Sequence, residues 1–146
     1  MPIKYKRSSR WYTGEGINRN VYLHIVDNLH IDRYETYITT PHINTERALI
    51  KVETEVCNDY PENVEYNLTT DIISPDGKGM ASRTSKIPLD GKSKYVFHQE
   101  IKVLQPKMWD IDSPKLYKAV SKIYKEGKRV DDYETTFGVR EIEFNP

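Results

Sequence analysis

The sequence predicts an all-β fold, an antiparallel sandwich of two packed sheets. Three observations carry this expectation. Runs rich in Val, Ile, Thr and Tyr alternate apolar and polar residues with period two. Turn signals punctuate the chain at fairly regular spacing. Only one segment reads as a helix, and it is ambiguous.

In chain order, Val21–Val26 and Ile31–Ile38 read as short strands. Ala48–Val56 is the clearest: Ala48, Ile50, Val52, Thr54 and Val56 share one face, and Lys51, Glu53 and Glu55 the other. Asn63–Ile73 repeats the pattern, with Val64, Tyr66, Leu68, Thr70 and Ile72 on one side. Tyr95–Val103 places Tyr95, Phe97, Ile101 and Val103 against His98, Glu100 and Lys102, with Val96 and Gln99 out of pattern. Near the end Phe137, Val139, Ile142 and Phe144 are apolar, but the phase slips after Val139. A bulge near Gly138, or a strand leaving one core for another, would account for it. Ambiguity falls on Leu116–Tyr124. Leu116, Ala119, Val120 and Ile123 have helical spacing, and Ser113-Pro114 looks like an N-cap followed by Pro at the first helical position. The strand reading groups Tyr117, Ala119, Ser121 and Ile123, a weaker pattern. Turns are expected at Thr13–Gly16, Asn58–Asn63, Ser74–Gly77, Leu89–Gly91 and Glu126-Gly127.

The chain has 146 residues, enough for one domain with a core of its own. Its 22 Lys and Arg balance 22 Asp and Glu, which argues against a nucleic-acid partner. The single cysteine, Cys57, excludes an internal disulfide and reads as a small buried thiol. No apolar run is long enough for a membrane-spanning helix, so no membrane partner is expected. Met1–Arg10 is basic but lacks the apolar stretch of a signal peptide, and a leader of a longer parent would lie upstream.

Site motifs are missing. The chain has no nucleophile elbow, phosphate loop, zinc-protease helix or paired-cysteine motif, so no cofactor and no metal is expected. His24, His30, His42 and His98 are dispersed. A glycosidase needs two carboxylates flanking a bond, one with a raised pKa, whereas the acids here fall in turns or on polar strand faces. The basic run Lys115, Lys118, Lys122, Lys125, Lys128 and Arg129, followed by Asp131, Asp132 and Glu134, reads as a solvated face. Trp11, Tyr12, Tyr34, Tyr37 and Trp109 are candidates for stacking on a sugar, with core or interface packing the more common role.

Three stretches add a resemblance. Ser9-Arg10-Trp11-Tyr12-Thr13-Gly14-Glu15-Gly16-Ile17-Asn18-Arg19-Asn20-Val21-Tyr22-Leu23 resembles the segment that closes the sugar-binding jelly roll of family 2 β-galactosidases. Gln105-Pro106-Lys107-Met108-Trp109, continuing through Pro114-Lys115-Leu116-Tyr117, is similar to a second family motif. Phe137-Gly138-Val139-Arg140-Glu141-Ile142-Glu143-Phe144 is similar to a third. Gln105, Met108 and Val139 depart from the pattern without touching chemistry. The resemblance covers nearly the whole chain. It implies an immunoglobulin-like antiparallel β-sandwich of two sheets and about seven strands, and it implies that Leu116–Tyr124 is a strand. It places residues 1–20 in the tail of a preceding jelly roll and 21–146 in the sandwich, ending where a catalytic TIM barrel begins.

The family's acid/base Glu follows an Asn, and this sequence has no Asn-Glu dipeptide. The expectation is therefore a non-catalytic structural domain of a β-galactosidase-like glycosidase. Its partners would be the neighbouring jelly roll and barrel. The alternative is an independent carbohydrate-binding or adhesion module. Trp11, Arg19, Trp109, Pro114, Tyr117, Phe137 and Arg140 are the expected structural or interdomain residues. Tyr117 is placed like the tyrosine of a tyrosine corner, and Arg19 and Arg140 like fasteners between domains. Apolar termini stripped of neighbours would favour an artificial dimer. A bacterial periplasmic or secreted parent is the family's expectation, with no signal within these residues.

Overall fold

The computed structural model describes residues 19–86 and 88–141. Seven strands form two antiparallel sheets, and the described residues contain no helix. The strands are β1 (Leu29–Ile43), β2 (Arg47–Asn58), β3 (Asn67–Ile73), β4 (Gly79–Lys86), β5 (Ser93–Leu104), β6 (Leu116–Lys125) and β7 (Lys128–Gly138). One sheet has the order β1-β2-β5, the other β4-β3-β6-β7. This is the expected immunoglobulin-like sandwich with its seven strands.

Period two decides which residues meet between the sheets. On β2, Ala48, Ile50, Val52, Thr54 and Val56 are buried, while Lys51 is exposed and Glu53 and Glu55 half-buried. On β6 the buried set is Tyr117, Ala119, Ser121 and Ile123. The strand reading of this segment therefore holds against its helical spacing, because β3 and β7 flank it and take its backbone bonds. A two-residue hairpin joins β6 to β7. Glu126 and Gly127 both have positive φ, 51° and 76°, as the favoured primed hairpin turn requires.

The core divides into two apolar halves. One holds Ile50, Val52, Ile72, Ile101, Val103, Tyr117, Phe137 and Val139. The other holds Leu29, Ile31, Val56, Tyr66, Leu68, Phe97 and Ile123. Burying a side chain of this kind contributes about 1.5–3 kcal/mol. Between the halves, each of four strands turns one polar residue inward: Thr54, Thr70, Gln99 and Ser121. Gln99 ties the sheets together. Its Oε1 accepts from Thr70 Oγ1 at 2.6 Å. Its Nε2 donates to Leu68 O, Arg83 O and Ser85 Oγ. Thr70 Oγ1 also meets Ser121 Oγ at 3.0 Å.

The structure corrects four readings. Val21–Val26 is not a strand: it joins neither sheet, and Val21, Leu23 and Ile25 are exposed. Alternation makes a strand only where a neighbour accepts the backbone bonds. The run from Asn63 enters the ladder only at Asn67; Val64 forms an isolated bridge to Leu89. Gly79–Lys86 is an unexpected strand, whose composition (Gly, Ser, Arg, Lys) hides an edge strand exposed along most of its length. β1 is longer than expected, with register shifts between Ile31 and Thr36 and between Thr39 and His42. In the first shift Tyr34 adopts φ 71°.

Candidate functional site

The chain's third and second motifs meet at one end of the sandwich. β7 ends at Gly138, paired with Leu116, and the chain continues through Val139, Arg140 and Glu141. The segment between β5 and β6 folds back against it: Trp109 N donates to Val139 O at 2.9 Å. The Trp109 side chain then lies on Gly138. A Cβ at Gly138 would stand 2.9–3.0 Å from Trp109 atoms, closer than real contacts allow. On the ring itself sits the Arg140 guanidinium, 4.9 Å from the centroid. Thr40 Oγ1 on β1 donates to Arg140 O at 2.8 Å, fixing the departing chain to the other sheet. Beneath this layer Tyr117, 1% exposed, packs against Phe137 with centroids 5.8 Å apart. The Tyr117 hydroxyl accepts from Lys107 N at 2.7 Å and so holds the start of the Trp109 segment.

Around this assembly lies an open cleft of about 830 Å³, lined by Tyr37–Pro41, Trp109, Leu116 and the exit residues Gly138, Arg140 and Glu141. Tyr37 is 64% exposed and Leu116 47%. Among the expected residues, Trp109, Tyr117, Phe137 and Arg140 are thus brought together. Pro114 is exposed in the segment before β6, and Arg19 is exposed at the start of the described chain. Trp11 lies outside the described residues, as do Ile142 and Phe144. Thr40 was not singled out, and Gly138 only as the place of a bulge. A glycine between Phe137 and Val139 was a usable signal for a close approach; nothing in the sequence marks Thr40.

The aspartates with shifted pKa values each have a hydrogen-bond donor beside them. Lys94 Nζ lies 2.5 Å from Asp32 and 2.8 Å from Glu55. Its hydrogen bond holds the Asp32 carboxyl below its usual range. Asp32, Glu55 and Cys57 are close enough to share a metal ion, yet the Lys94 ammonium already supplies the cation. Burial, then the neighbouring Asp32 charge, pushes the Cys57 thiol up to about 11, so it stays protonated and a poor nucleophile at neutral pH. Asp71 is pulled two ways. Burial raises its pKa, and the hydrogen bonds from Lys122 and Ser82 outweigh that and lower it. The basic run is spread over the second sheet, where Lys118 pairs with Glu134, Lys122 with Asp71 and Arg129 with Asp132.

The fold and this corner define a class: an immunoglobulin-like sandwich whose elaborated end faces away from its core. A family model for glycosyl hydrolases family 2 matches residues 29–140, and the chain belongs to that family. It is 32% identical over 133 residues to the β-galactosidase BoGH2A of Bacteroides ovatus, covering 91% of this chain and 16% of that protein. It is 35% identical over 144 residues to a β-glucuronidase of Formosa agariphila, covering 92% and 15%. Among solved structures, a glycosyl hydrolase family 2 member from Bacteroides cellulosilyticus superimposes with a TM-score of 0.87 at 32% identity, covering 92% of this chain and 19% of that one. The chain therefore spans about one-sixth of the length of these curated relatives.

Proposed function

We propose that this chain is a non-catalytic domain of a larger β-galactosidase-like glycosidase, and that it holds a preceding sugar-binding domain at a fixed angle to a following catalytic barrel. The observation that carries the reading is the match itself: the family model covers residues 29–140, while the chain spans only 16% of a β-galactosidase. The state of the carboxylates supports it. A retaining glycosidase uses two carboxyl groups about 5–5.5 Å apart, one of which must hold a proton near neutral pH. The shifted carboxylates here, Asp27, Asp32, Asp71 and Asp76, all move the other way. Each has a donor beside it and stays ionised. Rigid positioning contributes to catalysis because small misplacements of reacting groups cost rate steeply.

The carbohydrate-binding alternative would need open aromatic faces. Tyr34 and Tyr37 are exposed, but Arg140 occupies the face of Trp109. The test is covalent trapping. The full-length polypeptide is treated with an activated 2-fluoro-galactoside and the labelled peptide is mapped. The label is expected outside residues 1–146; a label on an Asp or Glu within them would sink the reading.

A further inference from the structure

We infer that the seam where β1 meets β7 binds a small cluster of ordered water, which bridges the Thr36 and Thr135 hydroxyls from one sheet to the other and takes in Thr54 Oγ1 and Arg33 Nε.

β1 and β7 are edge strands of different sheets, so no ladder joins them. Side chains join them instead, at a constant offset. Ile31 N donates to Asp131 Oδ2 at 2.9 Å, the Arg33 guanidinium lies 5.7 Å from the Tyr133 centroid, and Thr40 Oγ1 donates to Arg140 O at 2.8 Å. Each link joins residues a hundred apart. The same offset carries Thr36 to Thr136 and its neighbour Thr135. Thr36 and Thr135 both belong to inward faces: Thr36 pairs with the fully buried Thr54, and Thr135 with the buried Ala119.

The polar atoms gathered at the seam are buried and unanswered. Thr36 Oγ1, Thr54 Oγ1, Thr135 Oγ1 and Arg33 Nε have no hydrogen-bond partner among the described residues. A buried polar atom left in that condition is costly, so such atoms are nearly always bonded to protein or to ordered water. Elsewhere in the same polar layer the demand is met directly, by Gln99 with Thr70 and by Thr70 with Ser121. A buried water needs about two to four polar partners, and three hydroxyls and one N–H supply them. Water also both donates and accepts, as a hydroxyl requires. A halide would take these donors and leave the hydroxyl lone pairs unmet.

The bulge in β1 gives solvent its route. Between the pairs Ile31–Val56 and Thr36–Thr54, β1 runs through Asp32, Arg33, Tyr34 and Glu35, whereas β2 has Glu55 alone. The ladder is interrupted there, Tyr34 adopts φ 71°, and Tyr34 and Glu35 are exposed. Solvent thus joins the two sheets along this edge, as Gln99 joins them from β5.

A crystal structure of the full-length polypeptide, at a resolution that places solvent, tests the assignment, with a bromide soak to separate water from a halide. The expected result is a solvent peak about 2.7–3.2 Å from both Thr36 Oγ1 and Thr135 Oγ1, with no anomalous signal after the soak. Thr135→Ser keeps the hydroxyl and should keep the peak, and Thr135→Val should lose it. A direct bond between the two hydroxyls overturns the inference, as does the absence of a peak at the seam. An anomalous bromide peak overturns it in favour of an anion held by Arg33. A peak that persists unchanged in Thr135→Val removes the bridge between the sheets.

Discussion

At the residue scale, Gly138 explains more of the elaborated end than any aromatic there. Its missing Cβ is the space into which Trp109 packs, and the packed Trp109 in turn offers its ring to Arg140. Gly138→Ala would force Trp109 off its site. Overpacking of this kind costs about 1–3 kcal/mol, and the loss should appear as a lower urea midpoint with an unchanged slope. An unaltered midpoint would mean that Trp109 can move aside freely. Gly91 makes a similar case at the opposite turn, where a Cβ would stand 2.1 Å from Pro61 O. The sequence displays such glycines without saying what approaches them. Phe137 and Val139 were readable as core from their alternation, and both are buried. Thr40 was not readable, because its bond to Arg140 O spans a hundred residues and depends on the tertiary path alone.

At the element scale, the polar layer is the part that pattern reading misplaces. Alternation assigns polar residues to solvent, so Gln99 stood out as an exception on its strand. In the folded chain it is 2% exposed and in phase with Phe97 and Ile101. Its bonds reach β3 and β4, so it fixes how the two sheets align. Replacing it with leucine removes both ends of that bridge: Thr70 Oγ1 keeps only Ser121 Oγ, and Leu68 O, Arg83 O and Ser85 Oγ each lose a donor. Gln99→Leu should destabilise by about 1–3 kcal/mol despite the gain in apolarity. A more stable Gln99→Leu protein would show that the layer contributes nothing net. The β6 segment teaches the complementary lesson. Helical spacing was present locally, and the ladder with β3 and β7 overrode it. The β4 edge was invisible because its exposed residues have no face to hide.

At the scale of the whole molecule, charge balance conceals a directional pH response. Asp27, Asp32 and Asp71 have folded pKa values below the ordinary carboxylate range, whereas the unfolded chain restores values near 3.9. A depressed folded pKa stabilises the fold above the unfolded value. That contribution disappears as pH falls through the folded one. Thermal unfolding should therefore hold steady down to about pH 5 and weaken below about pH 4. Asp71→Asn should flatten that acid limb while lowering stability at neutral pH, because Lys122 and Ser82 lose their ionised partner. An acid limb unchanged by Asp71→Asn would remove this pair from the account.

The fold class and the family were legible from alternation, turns and three motifs; the strand count came only through the resemblance, and the β4 edge through neither. The cleft was not, because its walls come from β1, the segment before β6 and the end of β7. The central claim is that the domain supplies position and no reacting group. Hydrolysis of a chromogenic β-galactoside, measured for residues 1–146 beside the full-length polypeptide, tests it most directly. Turnover by the full-length polypeptide alone is the predicted result; turnover by residues 1–146 would contradict it and require a catalytic carboxylate pair within this sandwich.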